Sequence, residues 1–236
     1  MPTHELVCLP YRREHPFRNM EEDLLLLYRN PRPDAVLLRH YGWKFPCWTC
    51  GYSQNFSYVR EVTGGTVDTI FRRATGGGIV PHEADWTFTL VVGPEHPAFE
   101  CHPRTFYDRV HTSIVEGLSN LGRTATLHAC QEDVCNGAPP TECFKSPVLS
   151  DVLDSVTGTK LAGAAIKKTR DGVLLQGSVQ KAEVPGLDWT AFQEHLEAAL
   201  TTVFECVPAQ AHWPFTPEDR HPPYGERIHC AAWLQG

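Results

Sequence analysis

The stretch Arg72-Arg73-Ala74-Thr75-Gly76-Gly77-Gly78-Ile79-Val80 follows a short β-type run, Asp68 to Arg73, and leads toward another, Thr87 to Val92. That strand-to-strand setting excludes a dinucleotide fingerprint or a P-loop, because both need a glycine loop that opens a helix. Three consecutive glycines remove every Cβ, so backbone N–H groups can close on a carboxylate, thioester or phosphate oxygen. Taken by themselves the glycines fit a tight hairpin corner equally well.

On the C-terminal side of this loop, Val148 to Leu153, Lys160 to Lys168 and Val173 to Val179 read as strands. Turn chemistry at Thr157-Gly158 and Arg170-Asp171-Gly172 joins them into an antiparallel meander. Ala35 to Arg39 and Thr124 to Ala129 are further β-type runs. Three helices separate them. Asn19 is expected to cap the first, with Glu21, Glu22 and Asp23 in its opening turn and Leu24 to Leu27 behind. Phe106, Val110, Ile114 and Leu118 mark the second, which Gly122 is expected to stop. The third runs from about Asp188 to Phe204 with Trp189, Phe192, Leu196, Leu200 and Val203 on one face. The Pro-rich segment from Pro208 to Pro223 is expected to wrap the surface without regular structure, with Trp233 as an anchor. These elements, without an internal repeat or a Gly/Ser linker, predict one domain over residues 1–236.

The 236 residues carry a formal charge of -7, with 21 Lys plus Arg against 28 Asp plus Glu, which argues against nucleic acid or an anionic membrane as a general partner. Leu24 to Tyr28, the longest apolar run near the N-terminus, is far short of the ~20 residues that span a bilayer, and the first nine residues lack the order of a signal peptide. A cytoplasmic location is the expectation. Nine cysteines cannot all pair, so reduced thiols are expected.

Three groups of residues offer chemistry. In Gly158-Thr159-Lys160-Leu161-Ala162-Gly163-Ala164-Ala165-Ile166 the small residues leave room beside a strand, and Lys160 can aim a point charge into it; alternatively Lys160 is a solvated strand end. Cys143, in Glu142-Cys143-Phe144-Lys145-Ser146-Pro147, is a thiol near a cation, which is either an activated nucleophile or a small core hydrophobe. Cys47-Trp48-Thr49-Cys50 has CxxC spacing and is read either as half of a metal site, with Cys130, Cys135 and His128 as distant candidates, or as strand-end packing.

In order along the chain, these segments resemble the lipoate-protein ligase and octanoyltransferase family of the biotin/lipoate ligase superfamily. Arg72 to His82 is similar to the family's arginine, triple-glycine and histidine motif, Gly158 to Ala165 to its lysine motif, and Gly177-Ser178 to the pair that ends the next strand. Asn19 to Asp23 and Trp43 to Gln54, with its Gly-x-x-Gln, are similar to flanking segments. The resemblance implies an α+β fold, a mixed, largely antiparallel sheet flanked by helices. It implies Cys143 and Lys160 as catalytic residues, and Arg73, Thr75, Gly76, Gly77, Gly78, His82, Gly163, Ala164 and Gly177 as substrate-binding residues, without a metal or bound cofactor. The partners implied are acyl carrier protein and the lipoyl domains of 2-oxoacid dehydrogenases or the glycine cleavage H protein. Glu142 to Pro147 with Asp151, and Asp85 to Thr89, are most similar to octanoyltransferases that use a cysteine; ATP-using ligases carry Gly-Asn where Asp85-Trp86 stands, and often an additional C-terminal domain for which this chain has little room. Ile166 and Gln176 depart from the family, where many relatives have Gln and His. Two other readings stand beside acyl transfer: an ATP- and Mg-dependent lipoate ligase in which Cys143 is incidental, and a non-enzymatic binding module with a metal at Cys47 and Cys50.

Overall fold

A computed structural model describes residues 4–129 and 147–219. In chain order the elements are β1 (His4–Glu14), α1 (Pro16–Tyr28), β2 (Val36–Trp43), β3 (Cys47–Cys50), α2 (Phe56–Thr63), β4 (Ile70–Arg72), β5 (Val80–His82) and β6 (Asp85–Val92). There follow α3 (Pro103–Asn120), β7 (Ala125–Leu127), β8 (Val152–Asp154), β9 (Lys160–Thr169), β10 (Gly172–Gln180), α4 (Trp189–Val203) and β11 (Cys206–Gln210).

Among the described residues, eight strands form one sheet in the order β11-β1-β2-β6-β10-β9-β8-β7, and β4-β3-β5 form a second. In the large sheet β1 pairs in parallel with β11 and β2, and the other pairings are antiparallel. The predicted α+β class and the meander of β8, β9 and β10 are therefore present. Side chains alternate across a strand, so Phe88, Leu90 and Val92 of β6 join the stripes Phe106, Val110, Ile114, Leu118 of α3 and Phe192, Leu196, Leu200 of α4 in one core. Val91 faces the other way, into a core built on Leu24 to Leu27 of α1.

The helix ends follow local chemistry. Asp188 caps α4 by accepting from the N–H groups of Thr190 and Ala191, and Pro occupies the first turn of α1 and α3, where its missing N–H costs nothing. Helix α3 ends at Asn120 with Gly122 just beyond it at φ 74°.

Three expectations are corrected. His15, not Asn19, caps α1; Asn19 lies inside the helix, fully buried, and Glu22 and Asp23 grip Arg39 instead of serving a first turn. Of the run Val148 to Leu153, only Val152 onward is strand, because residues 149–150 turn. The segment after Val207 is not wholly irregular: β11 adds to the sheet edge beside β1, an edge position that tolerates Pro208. Trp233 lies outside the described residues. Among the described residues no helix is long and apolar enough to cross a membrane.

Candidate active site

The glycine loop spans the gap between β4 and β5 and rests on the segment after β3. Tyr52 N–H donates to Thr75 O at 2.9 Å, and Arg73 N–H to Cys50 O at 2.8 Å. A Cβ on Gly51 would stand 2.1 Å from Gly77 O, so these two backbones can meet only because Gly51 has none. Gly77 sits at φ 90°, a region that residues with side chains rarely enter.

Arg73 ties the loop together from inside. Its Nη2 donates to Gly76 O at 3.0 Å and Gly78 O at 2.9 Å, and its Nη1 to Thr49 Oγ1 at 2.8 Å. From Thr49 the network passes to His82 Nε2 at 2.7 Å, and His82 Nδ1–H donates to Asp85 Oδ2 at 2.8 Å. The same carboxylate oxygen accepts the hydroxyls of Thr87 and Ser178. Burial opposes ionisation of Asp85, but His82 and the two hydroxyls outweigh it and hold its carboxyl below the ordinary carboxylate range. Trp43 stacks on His82 at 4.2 Å and donates from Nε1 to Thr87 Oγ1.

Thr75 faces inward, donating to Gln176 Oε1 at 2.9 Å, while Gln176 Nε2 donates to Asp23 Oδ2 at 2.7 Å. Gln176 thus bridges the glycine loop to α1 with a neutral amide.

Strand β9 forms the opposite wall. Lys160 is 5% exposed, not a solvated strand end, and its Nζ lies 2.7 Å from Asp151 Oδ2. Asp151 also accepts Tyr107 OH at 2.6 Å and the Val148 N–H at 2.6 Å, and Tyr107 OH in turn accepts the Ala164 N–H. A Cβ on Gly163 would stand 2.6 Å from Lys160 Cε and 2.8 Å from Nζ, so the missing side chain is the space the ammonium occupies. Ala165 Cβ would lie 3.7 Å from a Cβ on Gly77, which brings the small-residue strand against the glycine loop.

Between these walls runs a narrow pocket lined by Met20, Trp43, Thr49, Val80, Gln176 and Ser178, with Arg73, His82, Gly163 and Ala164 among its other residues. Of the expected residues, Arg73, His82, Gly163, Ala164 and Gly177 line this pocket, whereas Lys160, Thr75 and Gly76 to Gly78 lie outside its lining. Gly177 borders the pocket by its backbone, but its absent Cβ makes room for the Phe88 ring, 2.4 Å away on the other face of the sheet. Cys143, Cys130 and Cys135 lie outside the described residues. The residues that sequence reasoning passed over are Thr49, Tyr107, His111 and the bridging role of Gln176. The available signal was Tyr107 and His111 at i, i+4 on α3, two polar rings side by side next to an apolar stripe.

Cys47 and Cys50 do not converge. Three residues apart on a strand, they face opposite sides and pack into separate apolar clusters. Burial raises both thiols above their ordinary range, Cys50 to about 11, which matches strand-end packing. Among the described residues no group of three His, Cys, Asp or Glu side chains is placed to hold a metal.

The described family of lipoyl protein ligase A/B catalytic domains matches residues 15–181. Among curated proteins, the octanoyltransferase LipM of Bacillus subtilis is 29% identical over 175 residues, covering 70% of this chain and 61% of its own length. That of Kyrpidia tusciae is 30% identical over 169 residues, 68% of this chain and 60% of its length. The chain thus spans less than two thirds of these relatives. Among solved structures, a lipoate-protein ligase A bound with ATP superposes with a TM-score of 0.66 at 15% identity, over 92% of this chain and 90% of that one. A bipartite lipoate protein ligase from Thermoplasma acidophilum gives 0.66 at 16%, over 91% and 88%. These two are alike in fold.

Proposed function

The chain belongs to the lipoyl protein ligase A/B catalytic family, and from that premise we propose that it is an octanoyltransferase of protein lipoylation. It takes an octanoyl group from acyl carrier protein and places it on a lysine of a lipoyl domain. The observation that carries this reading is the buried Lys160 ammonium on its Asp151 carboxylate, packed directly behind Gly163, which lines the pocket. Desolvating such a pair is expensive, and a well-packed apolar pair would serve stability as well. The names of the sequence relatives support transfer of an octanoyl group.

In the reaction we propose, the Cys143 sulfur attacks the donor thioester carbon; the bond from that carbon to the carrier sulfur breaks, and the carrier leaves as a thiol with the proton from Cys143. The lysine amine of the lipoyl domain then attacks the acyl-enzyme, forming an amide and returning the proton and the free thiol to Cys143. Lys160 and the N–H groups of the glycine loop stabilise the oxyanion in both steps, a contribution typically worth ~3 kcal/mol per donor. One thioester replaces another, so ATP is not consumed. Incubation with octanoyl-acyl carrier protein and a lipoyl domain should give octanoylated domain without ATP, and hydroxylamine-labile octanoyl on the Cys143 peptide. Product that forms only with ATP, and persists in Cys143→Ala, would replace this reading with an adenylating ligase.

A further inference from the structure

Asp151 owes its place to an unusual turn. Ser150, immediately before it, is buried at φ 65°, one of two residues other than glycine with positive φ among the described residues. A left-handed serine needs its neighbours to hold it. Ser150 N–H donates to His128 O at 2.9 Å, His128 N–H donates to Asp151 O at 2.7 Å, and His111 Nδ1 lies 2.6 Å from Ser150 O. A carbonyl only accepts, so Nδ1 carries the proton and the neutral ring leaves Nε2 bare. That nitrogen meets no hydrogen-bond partner among the described residues, although His111 is fully buried. As a core filler this side chain is a poor choice, since burying a polar atom without a partner is unfavourable. Among the described residues its one side-chain hydrogen bond goes to the residue that orients Asp151. One turn earlier on α3, Tyr107 holds the Asp151 carboxylate itself, and the two rings pack 4.0 Å apart.

We propose that His111 is a positioning residue for the candidate active site: from α3 it clamps the left-handed Ser150 carbonyl and so sets the Asp151 carboxylate against the Lys160 ammonium. The inference rests on the reading that Lys160 serves acyl transfer.

The test uses the full chain with His111→Leu, His111→Asn and His111→Leu/Ser150→Gly, read by kcat and KM for octanoyl transfer and by the ¹⁵N NMR signal of the Lys160 ammonium. Loss of the clamp should lower kcat about tenfold to a hundredfold with little change in KM, the scale expected of a misplaced catalytic group, and should broaden or shift the Lys160 signal. Asparagine places an amide N–H near the former Nδ1 and should restore most of both readouts. Glycine adopts positive φ without help, so the double variant should also recover. If His111→Leu does not fold, Ser150→Val attacks the same turn from the other side, because a β-branched residue resists that φ. Wild-type kcat and an unchanged Lys160 signal in the Leu or Val variant would overturn the proposal, as would failure of both Asn and the glycine double variant to recover either readout. If the wild-type protein transfers no octanoyl group while the Lys160 signal responds as described, the positioning role stands and the octanoyltransferase reading fails.

Discussion

Lys160 and Asp151 are nearly free of solvent, so each is tolerable only with the other present. Asp151→Asn leaves a buried ammonium without its carboxylate and should cost about 3–5 kcal/mol in urea unfolding along with activity. Lys160→Met/Asp151→Leu should regain most of that stability and no turnover; recovery of turnover would remove the ammonium from the mechanism. Gly163→Ala disturbs the same pair by steric means. Its Cβ would stand 2.6 Å from Lys160 Cε and 3.2 Å from Asp151 Oδ1, so the ammonium must move off its carboxylate, and octanoyl transfer should fall at least about tenfold with a lowered melting temperature. Acid should expose another set of residues. Burial holds His40, His96 and His111 down to about 4 from 6.5, so all three stay neutral in the fold and protonate near pH 6.5 once unfolded. Their contribution to stability is complete above pH 6.5 and is lost as pH falls toward 4. For the fully buried His111, which faces Asp151, Asp108 and Lys160, the loss is on the order of 1.4 kcal/mol per pH unit within that window. Asp85 adds a further loss below its ordinary value of 3.8. Thermal melts between pH 7 and 2 check this, and between pH 6.5 and 4 the slope should be shallower in His111→Asn.

At the scale of elements, the glycine loop shows why a motif and its setting have to be read together. Its triple glycine and the Gly51 of the Gly-x-x-Gln segment both stand out in the sequence, yet their meeting does not, because backbone contact between distant segments leaves no local pattern. Both sides of the Gly51–Gly77 contact are backbone, so Gly51→Ala must push the loop outward, at a cost of about 1–3 kcal/mol and with loss of activity. Gly77→Val adds strain at φ 90° and crowds Arg73 Nη2 at 3.3 Å, and should hurt turnover more than the midpoint of denaturation. Helices α3 and α4 were legible from their four-residue apolar stripes, since each packs one face on the sheet. The N-terminus of α1 was misread, because acidic residues after a candidate cap look alike whether they serve the helix dipole or a buried arginine.

Across the whole molecule, one polar network joins parts that are far apart in sequence. Arg39 of β2 donates to Glu22 and Asp23 of α1, each at 2.6 Å, and its guanidinium lies over Tyr41 and Trp213. Asp23 also accepts Tyr41, Thr89 of β6 and Gln176, which leads on to Thr75 of the glycine loop. Removing the cation from this buried set leaves two carboxylates without it, so Arg39→Met should cost about 3–5 kcal/mol in chemical denaturation and weaken activity by loosening Thr75. A stable and fully active Arg39→Met would mean that the network does not reach the loop. The sequence alone determined the mixture of helix and strand, the helical stripes and the meander, because periodicity and turn residues are local properties of the chain. Only the tertiary structure decided that Lys160 is buried on Asp151, that Gly163 makes room for it, that Gly177 serves Phe88 and that Cys47 and Cys50 face apart. Each of these depends on which side chains meet across strands and helices, and ion pairing, desolvation and steric exclusion act on that spatial arrangement whatever the distance along the chain.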